Sequence, residues 1–146
     1  MKNHSEKAVE LFLSGRNCAQ AVLCAYSDEF GIDFETLLKL SSSFGGGMGR
    51  LREVCGAVSA MFMVAGLKRG YTSLSDEDKE KHYTLIQELG HKFQEEQGSI
   101  VCRELLNLLE HESSPKPTKR TENFYKERPC AKFIESACKI LDETIS

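Results

Sequence analysis

Four of the six cysteines stand where the sequence predicts a helix to begin: Cys18, Cys55, Cys102 and Cys130. Each opens the apolar stripe of its helix. A helix N-terminus carries unpaired N–H groups and a partial positive charge, both of which favour thiolate over thiol. Thiolate is the form that attacks disulfides, reacts with oxidants and binds soft metal ions. Four such residues aimed at a shared interior predict one converging site. Cys24 and Cys138 fall mid-helix, beyond the reach of a terminal field, and read as small core hydrophobes.

No pair of cysteines has the Cys-x-x-Cys spacing of thioredoxin-like sites, zinc ribbons or ferredoxins. The sulfurs must therefore converge from four separate helices, and two chemistries stay open. Four thiolates can hold zinc, iron or an iron–sulfur cluster, making a carrier of electrons or ions. Equally, two pairs can cycle between dithiol and disulfide, the attacking sulfur being the one its helix stabilises best. A third option is a helical interaction protein with inert, buried cysteines.

Upstream of Cys55 runs Phe44-Gly-Gly-Gly-Met-Gly-Arg50. Gly45, Gly46, Gly47 and Gly49 permit left-handed backbone and close approach. The run lacks the Gly-Lys-Ser/Thr ending of a phosphate loop, and no strand precedes it. Its expected role is local: with Gly56, it brings backbone N–H groups toward Cys55 or its ligand. Arg50 and Arg52 flank the cysteine and can lower its pKa or bind an anionic substrate, the alternative for both being a solvated surface. On these grounds Cys55 is expected to be the most activated thiolate. His4, His82, His91 and His111 form no ligand spacing with a cysteine and read as solvent-exposed. The basic segment 116–128 reads as a solvated connector rather than a cover over Cys130.

The elements that must position these residues are helices. Apolar periodicity and capping residues predict them over 5–13, from Asn17 to about residue 30, after Asp33, over about 53–68, from Ser75 to about 96, after Ser99, and from Pro129 onward. The 53–68 segment is apolar nearly all round and belongs at a bundle centre. In the long polar helix Tyr83, Ile86, Gly90 and Phe93 form the expected inner stripe. Cys102, Leu105, Leu106 and Leu109 keep helical spacing in the next, and 111–128 reads as an exposed loop. The sum is an all-α bundle of six or seven helices, one domain over 1–146.

Composition narrows the function. At 146 residues the chain can bury a real core, and its net charge of −3 with pI near 5.8 offers no basic face for nucleic acid. The opening MKNHSEKAVELF has no apolar h-region, so no secretory signal is expected. The longest apolar stretch, 54–67, falls short of a membrane span. A cytoplasmic protein, not embedded in a membrane, is the expectation. In that reducing compartment six cysteines mean metal or redox chemistry rather than a disulfide framework. The all-round apolar helix suits a monomer core or a homodimer seam.

The ordered set of Cys18 in Asn-Cys-Ala-Gln-Ala-Val, Cys55-Gly56-Ala57 after the glycine run, Cys102 in Cys-Arg-Glu-Leu-Leu, and Cys130 resembles the C_GCAxxG_C_C family of redox-active proteins. The resemblance spans about 8–141 and selects the same four cysteines. It implies a redox role for them and, because family members tend to be encoded beside transporters, a redox partner or transport-linked protein as partner. It implies no substrate and no cofactor. Ala60 stands where the motif ends in glycine, which keeps close helix packing but removes any contact that tolerates no Cβ.

Overall fold

Side-chain caps set most of the helix starts. The structure, a computed structural model, describes residues 3–107, 114–127 and 129–145. Helix α1 (His4–Leu13) begins at Asn3, whose side chain accepts from the Glu6 N–H. Helix α2 (Cys18–Cys24) has a reciprocal cap: the Asn17 side chain accepts from the Gln20 N–H at 2.9 Å and the Gln20 side chain from the Asn17 N–H at 3.1 Å. It ends earlier than expected, giving way to a 3₁₀ turn at Ser27–Glu29. Continuing it would set Asp28 and Glu29 against the negative end of the helix dipole. Instead they pair with Lys7 at 3.3 Å and Lys68 at 3.2 Å.

Asp33 caps α3 (Phe34–Ser42) through the Thr36 N–H. A short element, α4 (Gly45–Met48), precedes α5 (Gly56–Arg69), for which Cys55 is the N-cap residue rather than a member of the first turn. Ser75 caps α6 (Asp76–Gln97), and left-handed Gly98 ends it. The inner stripe of α6 is Ile86, Leu89, Gly90 and Phe93. Tyr83 is 53% exposed and lies edge-on to Tyr71, so the expected stripe was wrong at that residue. Helix α7 (Cys102–Leu105) is a single turn, not a helix to 109; Leu109 and His111 lie outside the described residues.

The expected loop 111–128 contains a helix, α8 (Glu122–Glu127), started by a bond from the Phe124 N–H to the Thr121 hydroxyl. Its Phe124 and Tyr125 rings pack on Phe12. Helix α9 (Cys130–Thr144) follows Pro129, which caps it from outside. Seven of these helices have six residues or more. Among the described residues there is no strand, only one isolated antiparallel bridge between Val54 and Val101. The protein is a single all-α bundle.

Its centre is shared between α5 and the short α2, which packs against α1, α3, α5 and α9. Ala19, Ala21, Val22 and Leu23 are fully buried, and small side chains on α2 let four helices approach it closely. Tyr26, just past α2, is buried with its hydroxyl donating to Asp142 at 2.9 Å and to the Cys138 carbonyl at 3.2 Å. That satisfies the polar tip of an otherwise apolar side chain. His4 stacks on the Tyr26 ring and bridges Glu29 and Asp142, so it is not the solvated histidine expected. His82 is half-buried against Tyr71, and His91 is exposed. Among the described residues no helix is long and apolar enough to cross a membrane.

Candidate functional site

The site is built on a left-handed turn. Gly46, Gly47, Met48, Gly49 and Arg50 have consecutive positive φ values of 65, 73, 68, 59 and 66°, and Arg52 follows at 62°. Glycine adopts this region freely, but Met48, Arg50 and Arg52 each pay roughly 1–2 kcal/mol for it. The turn is closed from within: the N–H groups of Met48 through Glu53 donate to Phe44, Gly45, Gly46, Gly47 and Met48 carbonyls. The amides of 48–53 are thus used within the turn. The glycines supply close approach instead. A Cβ on Gly47 would stand 2.7 Å from the Cys102 Cβ and 2.8 Å from the Glu53 nitrogen. One on Gly56 would stand 2.8 Å from the Phe44 carbonyl oxygen and 3.3 Å from the Cys18 Cβ.

Past the turn, the chain pairs with the segment before α7. The Cys55 N–H donates to the Ile100 carbonyl at 2.8 Å and the Cys102 N–H to the Glu53 carbonyl at 2.6 Å, flanking the Val54/Val101 bridge. Successive side chains alternate across an extended pair, so 55 and 102 turn away from the valines to the same side. Cys18 arrives from the start of α2 and Cys130 from the start of α9.

All four cysteines line one cavity of about 410 Å³. Gly45, Gly46, Gly47, Gly49, Arg50, Arg52 and Gly56 line it as well. Cys24 and Cys138 do not; both are core residues, their thiols pushed up by burial to about 11 and about 12.

The sulfurs differ in environment. Cys18 and Cys130 share a hydrogen bond, which with burial and the neighbouring thiols holds the Cys18 thiol well above its ordinary range. Burial pushes the Cys55 thiol up to about 12, only partly offset by the amides of Ala57 and Val58 at the helix start. Desolvating a thiolate thus outweighs two amide dipoles, and the helix-start argument for Cys55 as the most activated sulfur does not carry. The cation expected beside Cys55 stands beside Cys102: buried Arg52 directs Nη1 at its Sγ, 3.7 Å away.

Pro115, Pro117, Thr118, Arg120 and Phe124 of the segment 114–125 line the cavity, while 114–119 are exposed, as a solvated connector is. Arg50 is not simply solvated; it donates to the Ser114 and Lys116 carbonyls and to the Thr118 hydroxyl. Arg120, which sequence reasoning missed, donates to the Phe12 and Arg16 carbonyls at 3.0 and 2.9 Å, its guanidinium 4.4 Å from the Phe12 ring centroid. The signal was present in Phe124-Tyr125, two aromatics in a polar stretch that need something to cover.

Four thiolates on one tetrahedral ion require every sulfur pair to stand roughly 3.8 Å apart. Among the described residues no three cysteine sulfurs lie within 4.8 Å of one another, so a single zinc or iron does not fit this arrangement. His4, Asp28 and Glu29 do meet that distance, but Lys7 and Lys68 already pair with the two carboxylates.

An all-α bundle whose four separate cysteine segments close around one cavity defines a class of small four-cysteine helical proteins. The sequence pattern of the C_GCAxxG_C_C family, described as "Putative redox-active protein", matches residues 16–144, and the chain belongs to that family. Neither curated proteins nor solved structures give a match. Ala60, in place of the motif's last glycine, is fully buried in α5 and does not line the cavity.

Proposed function

We propose that this is a cytoplasmic thiol-based redox protein in which Cys18, Cys55, Cys102 and Cys130 act as one site. The observation that carries the reading is the single cavity into which all four open. Cys130, half-buried and accepting from Cys18, is the attacking sulfur; Cys18 keeps its proton until it resolves the mixed disulfide. Cys102, beside Arg52, and Cys55, held next to it by the Val54/Val101 bridge, form the second dithiol. The partner is a redox or transport-linked protein that collects the disulfide.

Cys18→Ser tests the assignment. With a small disulfide, the variant accumulates a mixed disulfide on Cys130, seen as a mass increase, because the resolving thiol is gone. Clean oxidation of that variant, as in the parent protein, overturns the assignment. Elemental analysis on protein purified without oxygen tests the carrier alternative: about one zinc or one to four irons per chain replaces the dithiol reading with metal or cluster ligation.

A further inference from the structure

Cys18 stands inside the reciprocal cap that starts α2, between Asn17 and Gln20. Such a cap needs only acceptors: the Asn17 side-chain oxygen takes the Gln20 N–H, and the Gln20 side-chain oxygen takes the Asn17 N–H. Serine with glutamate would cap as well, yet both residues here are amides, each with an NH₂ group left over to donate. Both groups find a carbonyl on α3. Asn17 Nδ2 donates to the Ser42 carbonyl and Gln20 Nε2 to the Leu38 carbonyl, each at 3.2 Å. Ser42 ends α3, where carbonyls lack a partner within the helix, and Leu38 lies one turn before it on the same face. The same strip of chain packs against two glycines. A Cβ on Gly45 would stand 2.6 Å from the Asn17 Cγ, and one on Gly56 would stand 3.1 Å from the Ala19 nitrogen and 3.3 Å from the Cys18 Cβ. Residues 17–19 are therefore held by α3, by α4 and by the start of α5.

We infer that Asn17 is a positioning residue for the thiol chemistry: through its amide bond to α3 it holds the Cys18 sulfur where it meets Cys130. This rests on the dithiol reading above. Cys18 and Cys130 come from different helices, α2 and α9, so how readily they join depends on each being held in place before the bond forms. With oxidised glutathione as the acceptor, one S–S bond forms between the two protein sulfurs and the glutathione S–S bond breaks. Two electrons and two protons pass from the protein thiols to glutathione, which ends as two thiols. A Cys18 segment released from α3 stays near Cys130 for less of the time, so the protein disulfide closes less favourably. The cap accounts for the start of α2; the tie to α3 accounts for the amide at position 17.

The test compares the full chain with Asn17→Ser, which keeps a capping oxygen but has no amide to donate to α3. Each protein is equilibrated without oxygen in mixtures of reduced and oxidised glutathione, and the Cys18–Cys130 disulfide is quantified by alkylation and mass mapping. The equilibrium constant for closing the disulfide is expected to fall by about threefold or more in Asn17→Ser, the worth of one hydrogen bond. Gln20→Met, which loses the second tie, is expected to lower it too and carries the test by itself if Asn17→Ser does not fold. Ser75→Ala takes the cap from α6, outside the cavity, and is expected to lower stability in urea while leaving the constant unchanged. A constant that stays at the parent value in Asn17→Ser, or that falls as far in Ser75→Ala, overturns the inference and leaves the dithiol chemistry intact. If the parent protein forms no Cys18–Cys130 disulfide at any glutathione ratio, the dithiol reading falls and takes this inference with it.

Discussion

The thiol of Cys18, at the start of α2, is hydrogen-bonded to the thiol of Cys130, at the start of α9. A thiol that donates to its neighbour stabilises that neighbour's thiolate and loses acidity itself. Cys130 is therefore expected to alkylate faster than Cys18 near neutral pH. Cys18→Ala removes the donor and is expected to slow alkylation of Cys130. Mass mapping of iodoacetamide-labelled peptides over time checks both rates.

Gly47 and Gly56 mark the two places where backbone must come close to a site cysteine. Gly47→Ala meets both a left-handed φ of 73° and the Cys102 Cβ, and Gly56→Ala meets the Phe44 carbonyl. Each is expected to cost about 2–4 kcal/mol, from overpacking and, at Gly47, backbone strain. Gly66, on the same α5, has open space where a Cβ would go. Gly66→Ala is expected to stabilise by about 0.5–1 kcal/mol. Urea unfolding of the three variants ranks them.

Ala60 is where this chain departs from the family motif. It is fully buried in the interior of α5. Ala60→Gly restores the motif but loosens the helix and removes a buried methyl, so it is expected to destabilise by about 1–2 kcal/mol. Because Ala60 does not line the cavity, the alkylation rates of the four site cysteines should stay as they are.

Burial of Cys24 and Cys138 makes stability fall in alkali. Their thiols titrate at about 11 and about 12 in the fold, against 9.0 for an unperturbed thiol. Between those values the unfolded chain has given up protons that the folded chain keeps, so unfolding is favoured as pH rises. Stability is full below pH 9 and drops from there toward 12, by at most about 1.4 kcal/mol per pH unit for each group. Urea midpoints across that range should show the decline, and Cys138→Ala should reduce its slope.

How far the sequence discloses this site depends on the kind of contact involved. Helix starts were legible because their caps are local: Asn17, Asp33 and Ser75 each bond an N–H three residues on. Of the four cysteine segments only that of Cys18 begins at such a cap; the helices at Cys55, Cys102 and Cys130 start without a side-chain cap. The arginine's partner was not legible. Arg52 lies nearer Cys55 in sequence, yet a left-handed turn and the Val54/Val101 bridge deliver it to Cys102. The contacts of 114–125 with the cavity wall were missed for the same reason: Arg50 and Arg120 bind carbonyls far away in the chain, and long-range bonds to backbone leave no trace in composition. Tyr83 was misplaced although it keeps the period of Ile86 and Gly90: its ring lies edge-on to Tyr71 and stays 53% exposed.

The central claim, that Cys18 and Cys130 form a working dithiol, is tested most directly by equilibrating the protein in graded glutathione buffers without oxygen. Remaining thiols are then trapped by alkylation and mapped by mass. The account predicts that Cys18 and Cys130 disappear together, with the slope of a two-electron couple, roughly 30 mV per tenfold change. Both thiols staying open to alkylation at every poise, or oxidising independently of one another, would contradict it.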